Sequence, residues 1–152
     1  MCISLKDHVE KENFSKAAQK YREQNQPVKA WKFVVKVDDK IQSFFRVGRG
    51  YTWREGLNVS SRAVNCLTAY EKLDYRTSEG FYCFVNKEDA EQFLLSFERI
   101  LWDDWFSAET PIETKLMEVE IDPSDIVGVG RWGWCNSETI LATKVTAHLP
   151  KE

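Results

Sequence analysis

The sequence predicts an α+β protein. It is a single compact domain in which a curved antiparallel sheet packs on one main helix, with a further helix at the N-terminus. Three observations carry this. The run Phe81-Tyr82-Cys83-Phe84-Val85 is short and apolar, and it leads straight into a helix whose apolar residues recur every three or four positions. Val28–Val37 and Ile112–Ile121 alternate their side chains, and each is followed by a turn. Strands joined by turns, with one major helix between them, fit antiparallel pairing and not a βαβ sheet.

The element around which the chain is organised starts at Gly80. Asn86 closes the apolar run and is a good N-cap, because its side-chain oxygen can accept a free amide of the first turn. Asp89 adds negative charge at the positive end of the helix dipole. Over residues 86–106 the apolar positions Ala90, Phe93, Leu94, Phe97, Leu101 and Trp105 share one face. Glu88, Glu91, Gln92, Glu98, Arg99 and Asp103 fall mostly on the other. A stripe of this kind is core packing rather than a cofactor box.

The remaining elements follow in order. Residues 1–5 form a short strand or a tucked terminus. A helix is expected over 13–24, capped by Asn13 or Ser15 and ended by Gln26 and Pro27. Residues 1–27 are therefore a helical extension packed on a 28–152 domain. In the strand at 28–37, Trp31, Phe33 and Val35 point one way, and Lys32, Val34 and Lys36 the other. Asp38-Asp39-Lys40 turns the chain into a return strand at 41–47, broken by Gly48 and Gly50. Residues 57–61 form another short strand, and 64–75 read as irregular. Beyond Pro111, Met117, Val119 and Ile121 oppose Leu116, Glu118 and Glu120. Pro123 takes the second place of a turn at 122–125. A strand at 126–129 leads to a flexible segment bracketed by Gly128, Gly130 and Gly133, and 139–149 is the last strand.

Composition narrows the function. A chain of 152 residues is one domain by default, and at 43% hydrophobic it can bury a real core. The net charge of −3 argues against general DNA binding, which needs a basic surface. No apolar run is long enough to span a bilayer and no signal peptide is read, so a cytoplasmic protein is expected. Cys2, Cys66, Cys83 and Cys135 lie far apart without a CxxC pair, and His8 and His148 are the only histidines. No metal site and no cofactor are expected from these, nor any disulfide framework.

Three pieces of the chain, taken together, carry a family resemblance. They are the leader Met1-Cys2-Ile3-Ser4-Leu5, the stretch from Gly80 to Phe93, and the closing strands with their Asp122-Pro123-Ser124-Asp125 turn. With Lys32-Phe33-Val34 in the first strand, these resemble small uncharacterised Met-Cys-leader proteins of phages and gut bacteria. The resemblance leaves residues 11–27 outside it, and most of its motif positions are packing residues. It implies a phage accessory protein with a host-interaction or anti-defence role.

The best candidate for chemistry is the arginine-rich stretch after the first hairpin. Arg46, Arg49, Arg54 and Arg62 are interleaved with Tyr51 and Trp53, and residues 40–62 hold five basic side chains against one acidic, Glu55. Arginine forks bind phosphate or carboxylate, and aromatic faces stack on bases. The plainer reading is a solvated loop whose arginines pair with surface carboxylates. Trp132 and Trp134 flank Gly133 beside Arg131. Exposed, they would be interface anchors; buried, they would cap one end of the sheet. Cys2, if Met1 is removed, could act as an N-terminal nucleophile, but no supporting residues are identifiable.

The leading expectation is a non-enzymatic binding protein that engages a host protein or an anionic, nucleotide-like small molecule. Its contacts are Arg46, Arg49, Tyr51, Trp53, Arg54, Arg62, Trp132 and Trp134. The alternative is an enzyme. The Gly-aromatic strand before a helix also resembles ADP-ribosyltransferase-like domains that use NAD, which implies a tyrosine role for Tyr82 and a glutamate role for Glu138. Lys32 and Lys36 stand where such domains carry Arg or His. This alternative requires a cleft joining Tyr82 to Glu138.

Overall fold

The structure is a computed structural model. It describes residues 4–5, 8–43, 51–60, 68–70, 74–76, 80–104, 112–132 and 137–151, with side chains for 12–43, 51–60, 80–95, 113–131 and 137–151. In chain order the elements are β1 (Ser4–Leu5), α1 (His8–Gln24), β2 (Val28–Val37), β3 (Lys40–Ser43), β4 (Gly56–Val59), β5 (Thr68–Tyr70) and β6 (Asp74–Arg76). There follow β7 (Phe81–Phe84), α2 (Lys87–Asp104), β8 (Ile112–Ile121), a 3-10 turn at Pro123–Asp125, β9 (Ile126–Trp132), β10 (Ser137–Ala142) and β11 (Lys144–His148). The main sheet runs β4-β11-β8-β2-β7-β10-β9, with β3 paired to β2 as its eighth strand. Every pairing is antiparallel, so the expected α+β class holds. A small sheet, β1-β6-β5, stands apart from it.

β2 is the spine. It pairs with β8 along all ten residues, from Val28–Ile121 to Val37–Ile112. Strand alternation then gives it two buried faces. Phe33 and Val35 pack with Phe84, Ala90 and Phe93 under α2, and the Phe33 and Phe93 rings lie 4.8 Å apart. Ala30 and Val34 face the other way, into a larger core with Cys83, Met117, Val119, Ile121 and Ile140. Both faces of β2 therefore carry apolar side chains, with Lys29, Lys32 and Lys36 set among them.

α2 begins as expected. The Asn86 Oδ1 accepts the amides of Glu88 at 2.9 Å and Asp89 at 3.4 Å. Ala90 and Phe93 are buried and Leu94 partly so. Phe97, Leu101 and Trp105 lie outside the described side chains.

α1 differs from the expectation. It starts at His8, so Asn13 and Ser15 are interior positions and not caps. It ends at Asn25, whose φ of 51° and N–H to the Arg22 carbonyl (3.2 Å) close the last turn before Pro27 is reached. Its inward side chains are Phe14, Ala17, Ala18 and Tyr21. The alanines let it approach closely, and Ala18 joins the same core as Val34. α1 packs along β9, where the Phe14 ring occupies the place a side chain at Gly128 would need. Gly128 and Gly130 therefore belong to a paired strand, opposite Leu141 and Thr139, and not to a flexible segment.

Two further readings need correction. Residues 64–75 are not wholly irregular, since β5 and the start of β6 fall there. The last strand is two strands. The chain breaks at Thr143, whose N–H bonds the Asp125 carbonyl at 3.0 Å. Before the break β10 pairs with β7 and β9; after it β11 pairs with β8 and β4. A Thr- and Ile-rich run conceals such a crossing because both halves have strand propensity. Among the described residues no helix is long and apolar enough to cross a membrane.

Candidate functional site at the fork between β3 and β7

One edge of β2 serves two neighbours. At Trp31 it pairs with Phe84 of β7, and from Val34 onward it pairs with Ser43 and the rest of β3. Lys32 stands at this fork, on the face shared with Ala30 and Val34. Its Nζ donates to the Tyr82 carbonyl at 2.8 Å. It also lies 5.7 Å from the centre of the Trp53 ring. The amine is enclosed by protein, although the residue as a whole keeps partial exposure.

The aromatic wall comes from the segment that follows β3. Residues 51–53 run beside β3: the Trp53 N–H bonds the Ile41 carbonyl at 2.8 Å, and the Ser43 N–H bonds the Tyr51 carbonyl at 3.0 Å. The Trp53 ring is 4.8 Å from Phe81 and 5.2 Å from Tyr51, and its indole N–H reaches Ser43 Oγ at 3.0 Å. Asn58 of β4 anchors the segment. Its Oδ1 accepts the Tyr51 hydroxyl (2.9 Å) and the Arg54 N–H (3.1 Å). Its Nδ2 donates to the Arg54 and Gly56 carbonyls, both at 3.0 Å. With both side-chain atoms engaged, a buried Asn is satisfied and rigid.

These placements reassign the expected contacts. Trp53 is only 3% exposed, so it is a wall of the core and not a free stacking surface. Tyr51 is half-buried beside it, and Arg54 is exposed. Arg46, Arg49, Arg62 and Trp134 lie outside the described residues. Trp132 ends β9 opposite Ser137, with its side chain outside the described set. Lys32 and Asn58 were missed as site residues. Lys32 carried a signal, since its neighbours two positions away, Ala30 and Val34, are both apolar on its own face. Asn58 carried none.

The transferase alternative loses its cleft. Tyr82 pairs with Leu141, three positions from Glu138, so Tyr82 and Glu138 project from opposite faces of the sheet. The Glu138 carboxylate instead accepts the Tyr21 hydroxyl of α1 at 3.1 Å.

Electrostatics single out the fork. Burial pulls the Lys32 amine below the usual lysine range, with Cys83 a weaker, opposing influence. Burial pushes the Cys83 thiol up from 9.0 to about 11. Tyr21 rises to about 12, first through burial and then through Glu138. Between the lowered pKa of Lys32 and its unfolded value of about 10.4, the unfolded chain holds the extra proton, so stability rises with pH. Cys83 and Tyr21 act oppositely, since above their ordinary values of 9.0 and 10.0 the folded chain keeps protons that the unfolded chain loses. Urea unfolding of the wild type across alkaline pH should therefore carry a rise contributed by Lys32 and a fall contributed by Cys83 and Tyr21. Lys32→Met should abolish the rise and keep the fall. A rise that persists in Lys32→Met belongs to another group.

Among the described residues no three His, Cys, Asp or Glu side chains stand together as a metal set. Comparison with family models, with curated proteins and with solved structures finds no match. Fold and site together define an antiparallel α+β domain with a lysine enclosed at a strand fork, walled by an anchored, arginine-bearing segment.

Proposed function

We propose that this is a non-enzymatic binding protein that takes an anionic, nucleotide-like ligand on the arginine-bearing segment between β3 and β4. The observation that supports it most is Arg54. Its side chain is exposed and has no carboxylate partner among the described residues. The adjacent Glu55 is turned elsewhere: its Oε2 accepts the Leu149 N–H at 2.8 Å, and its Oε1 lies 3.8 Å from His148. An arginine already neutralised on the surface would look different. The backbone beneath Arg54 is held by Asn58, so little ordering cost remains when an anion docks. Arg46, Arg49 and Arg62 extend the same stretch in sequence.

A host protein as the partner is the second reading, favoured by exposed Leu57 (61%) and Val59 (50%) a few residues beyond Arg54. Either fits the phage accessory, anti-defence role that the family resemblance implies.

The test is a thermal-shift screen against nucleotides, cyclic nucleotides and NAD. At a hundredfold excess over Kd the melting temperature should rise by roughly 5–10 °C. Arg54→Ala should erase that rise while leaving the unliganded melting temperature within about 2 °C. If no compound shifts the wild type, the small-anion reading fails. Retention of a host protein by the wild type but not by Leu57→Asp would then support the second.

A further inference from the structure

Lys32 has no part in the anion reading, yet it is the most unusual ionisable group among the described residues. Lys29, Lys87 and Lys115 each pair with a glutamate: Glu118 at 2.7 Å, Glu91 at 3.7 Å and Glu113 at 2.6 Å. Lys32 has no carboxylate partner among the described residues. Its one hydrogen bond is to the Tyr82 carbonyl, and its other neighbours are the Trp53 ring and the Cys83 thiol. The fork explains the geometry. β2 pairs with β7 at Trp31 and with β3 from Val34, and between the two the Lys32 amine reaches the Tyr82 carbonyl of β7.

An ammonium without a counter-charge is costly to enclose, and a lysine so placed is favoured as the neutral amine. A neutral amine has a free electron pair, and a desolvated lysine is the form that attacks carbonyls. Nearby Cys83 does not compete, because burial keeps its thiol protonated.

We propose that Lys32 is a reactive amine that condenses with a small aldehyde or ketone at the fork between β3 and β7. The Nζ electron pair attacks the carbonyl carbon, a C–N bond forms as the C=O π bond breaks, and one amine proton passes to the carbonyl oxygen. The carbinolamine then loses the amine proton and its hydroxyl as water, leaving an imine. No oxidant or reductant is required, and hydrolysis reverses the step, so the protein would hold a carbonyl ligand covalently without turning it over. The Trp53 ring beside the amine packs on Phe81 at 4.8 Å, so the carbonyl compound that suits this place is small and apolar. The proposal does not depend on Arg54.

The test is to incubate the folded chain at neutral pH with propanal and cyanoborohydride, which reduces the imine to a stable secondary amine. Peptide mapping by mass spectrometry then gives the rate at each lysine. Lys32 should be alkylated on the order of tenfold faster than Lys29 and Lys87, as expected of a desolvated amine set against exposed, glutamate-paired ones. The preference should vanish in urea, and Lys32→Met and Lys32→Arg should lose the fast site. Native protein in which Lys29 and Lys87 react while Lys32 does not would overturn the proposal. So would a Lys32 rate unchanged by unfolding. Lys32 would then be only a cap for the Tyr82 carbonyl.

Discussion

Asn58→Ala is expected to lower stability by about 3 kcal/mol and to abolish any ligand-dependent thermal shift. Asn58 is 1% exposed and makes four hydrogen bonds. Each buried group left without a partner costs about 1–3 kcal/mol. Removing the amide strands the Arg54 N–H, the Arg54 and Gly56 carbonyls and the Tyr51 hydroxyl, some of which water can reach and satisfy. The functional effect follows from the same bonds, because they hold the segment that carries Arg54. Asn58→Asp is a sharper probe. It keeps an acceptor for Tyr51 and Arg54 but turns an oxygen, with its charge, toward two carbonyls, so it should cost at least as much as alanine. Urea unfolding of both variants decides the matter. A loss below about 1 kcal/mol in each would show that Asn58 does not hold the segment.

The second large effect concerns the seat of α1. Gly128→Ala should cost about 2–3 kcal/mol, because the new Cβ would overlap the Phe14 ring and one of the two must move. Phe14→Ala should cost about 3–5 kcal/mol by emptying a site that is 2% exposed. The double variant is the informative one. With the ring gone, the Gly128 methyl has space, so the combined loss should fall short of the sum by about 1–2 kcal/mol. Strict additivity would mean that α1 does not rest on β9 at this point. Against a total stability of about 5–15 kcal/mol, either single change is severe.

Much of the fold was legible because it is encoded locally. β2 and β8 have the bounds their alternation predicted, and α2 starts at the Asn86 cap its sequence announces. α1 was legible only in part. Its contact face rests on two alanines, Phe14 and Tyr21, and a weak apolar stripe says little about where a helix begins. The break at Thr143 was illegible, because residues on either side are equally strand-forming and the hydrogen bond that fixes the break comes from Asp125.

The candidate site was legible at the level of residue type and not of direction. The sequence marked Tyr51, Trp53 and Arg54 as one basic-aromatic group, but Trp53 turns inward to Phe81 and Ser43 while Arg54 faces solvent. The partner that decides this is Asn58, which no pattern distinguishes from any other polar residue of a short strand. Tyr82 and Glu138 show the same limit from the other side. Each suits the role a transferase would need, and one register places them on opposite faces.

The sequence by itself determined the long, strongly patterned elements, β2, β8 and α2, and which side of α2 is apolar, because periodicity and capping act over a few neighbouring residues. Only the tertiary structure decided which strands meet. β2 meets β7 at Trp31 and β3 from Val34, and the fork between them encloses Lys32. A lysine in a strand is ordinary. Enclosed with no carboxylate partner among the described residues, with a carbonyl on one side and an indole on the other, it has a different chemistry, because desolvation depends on what the rest of the chain brings to it.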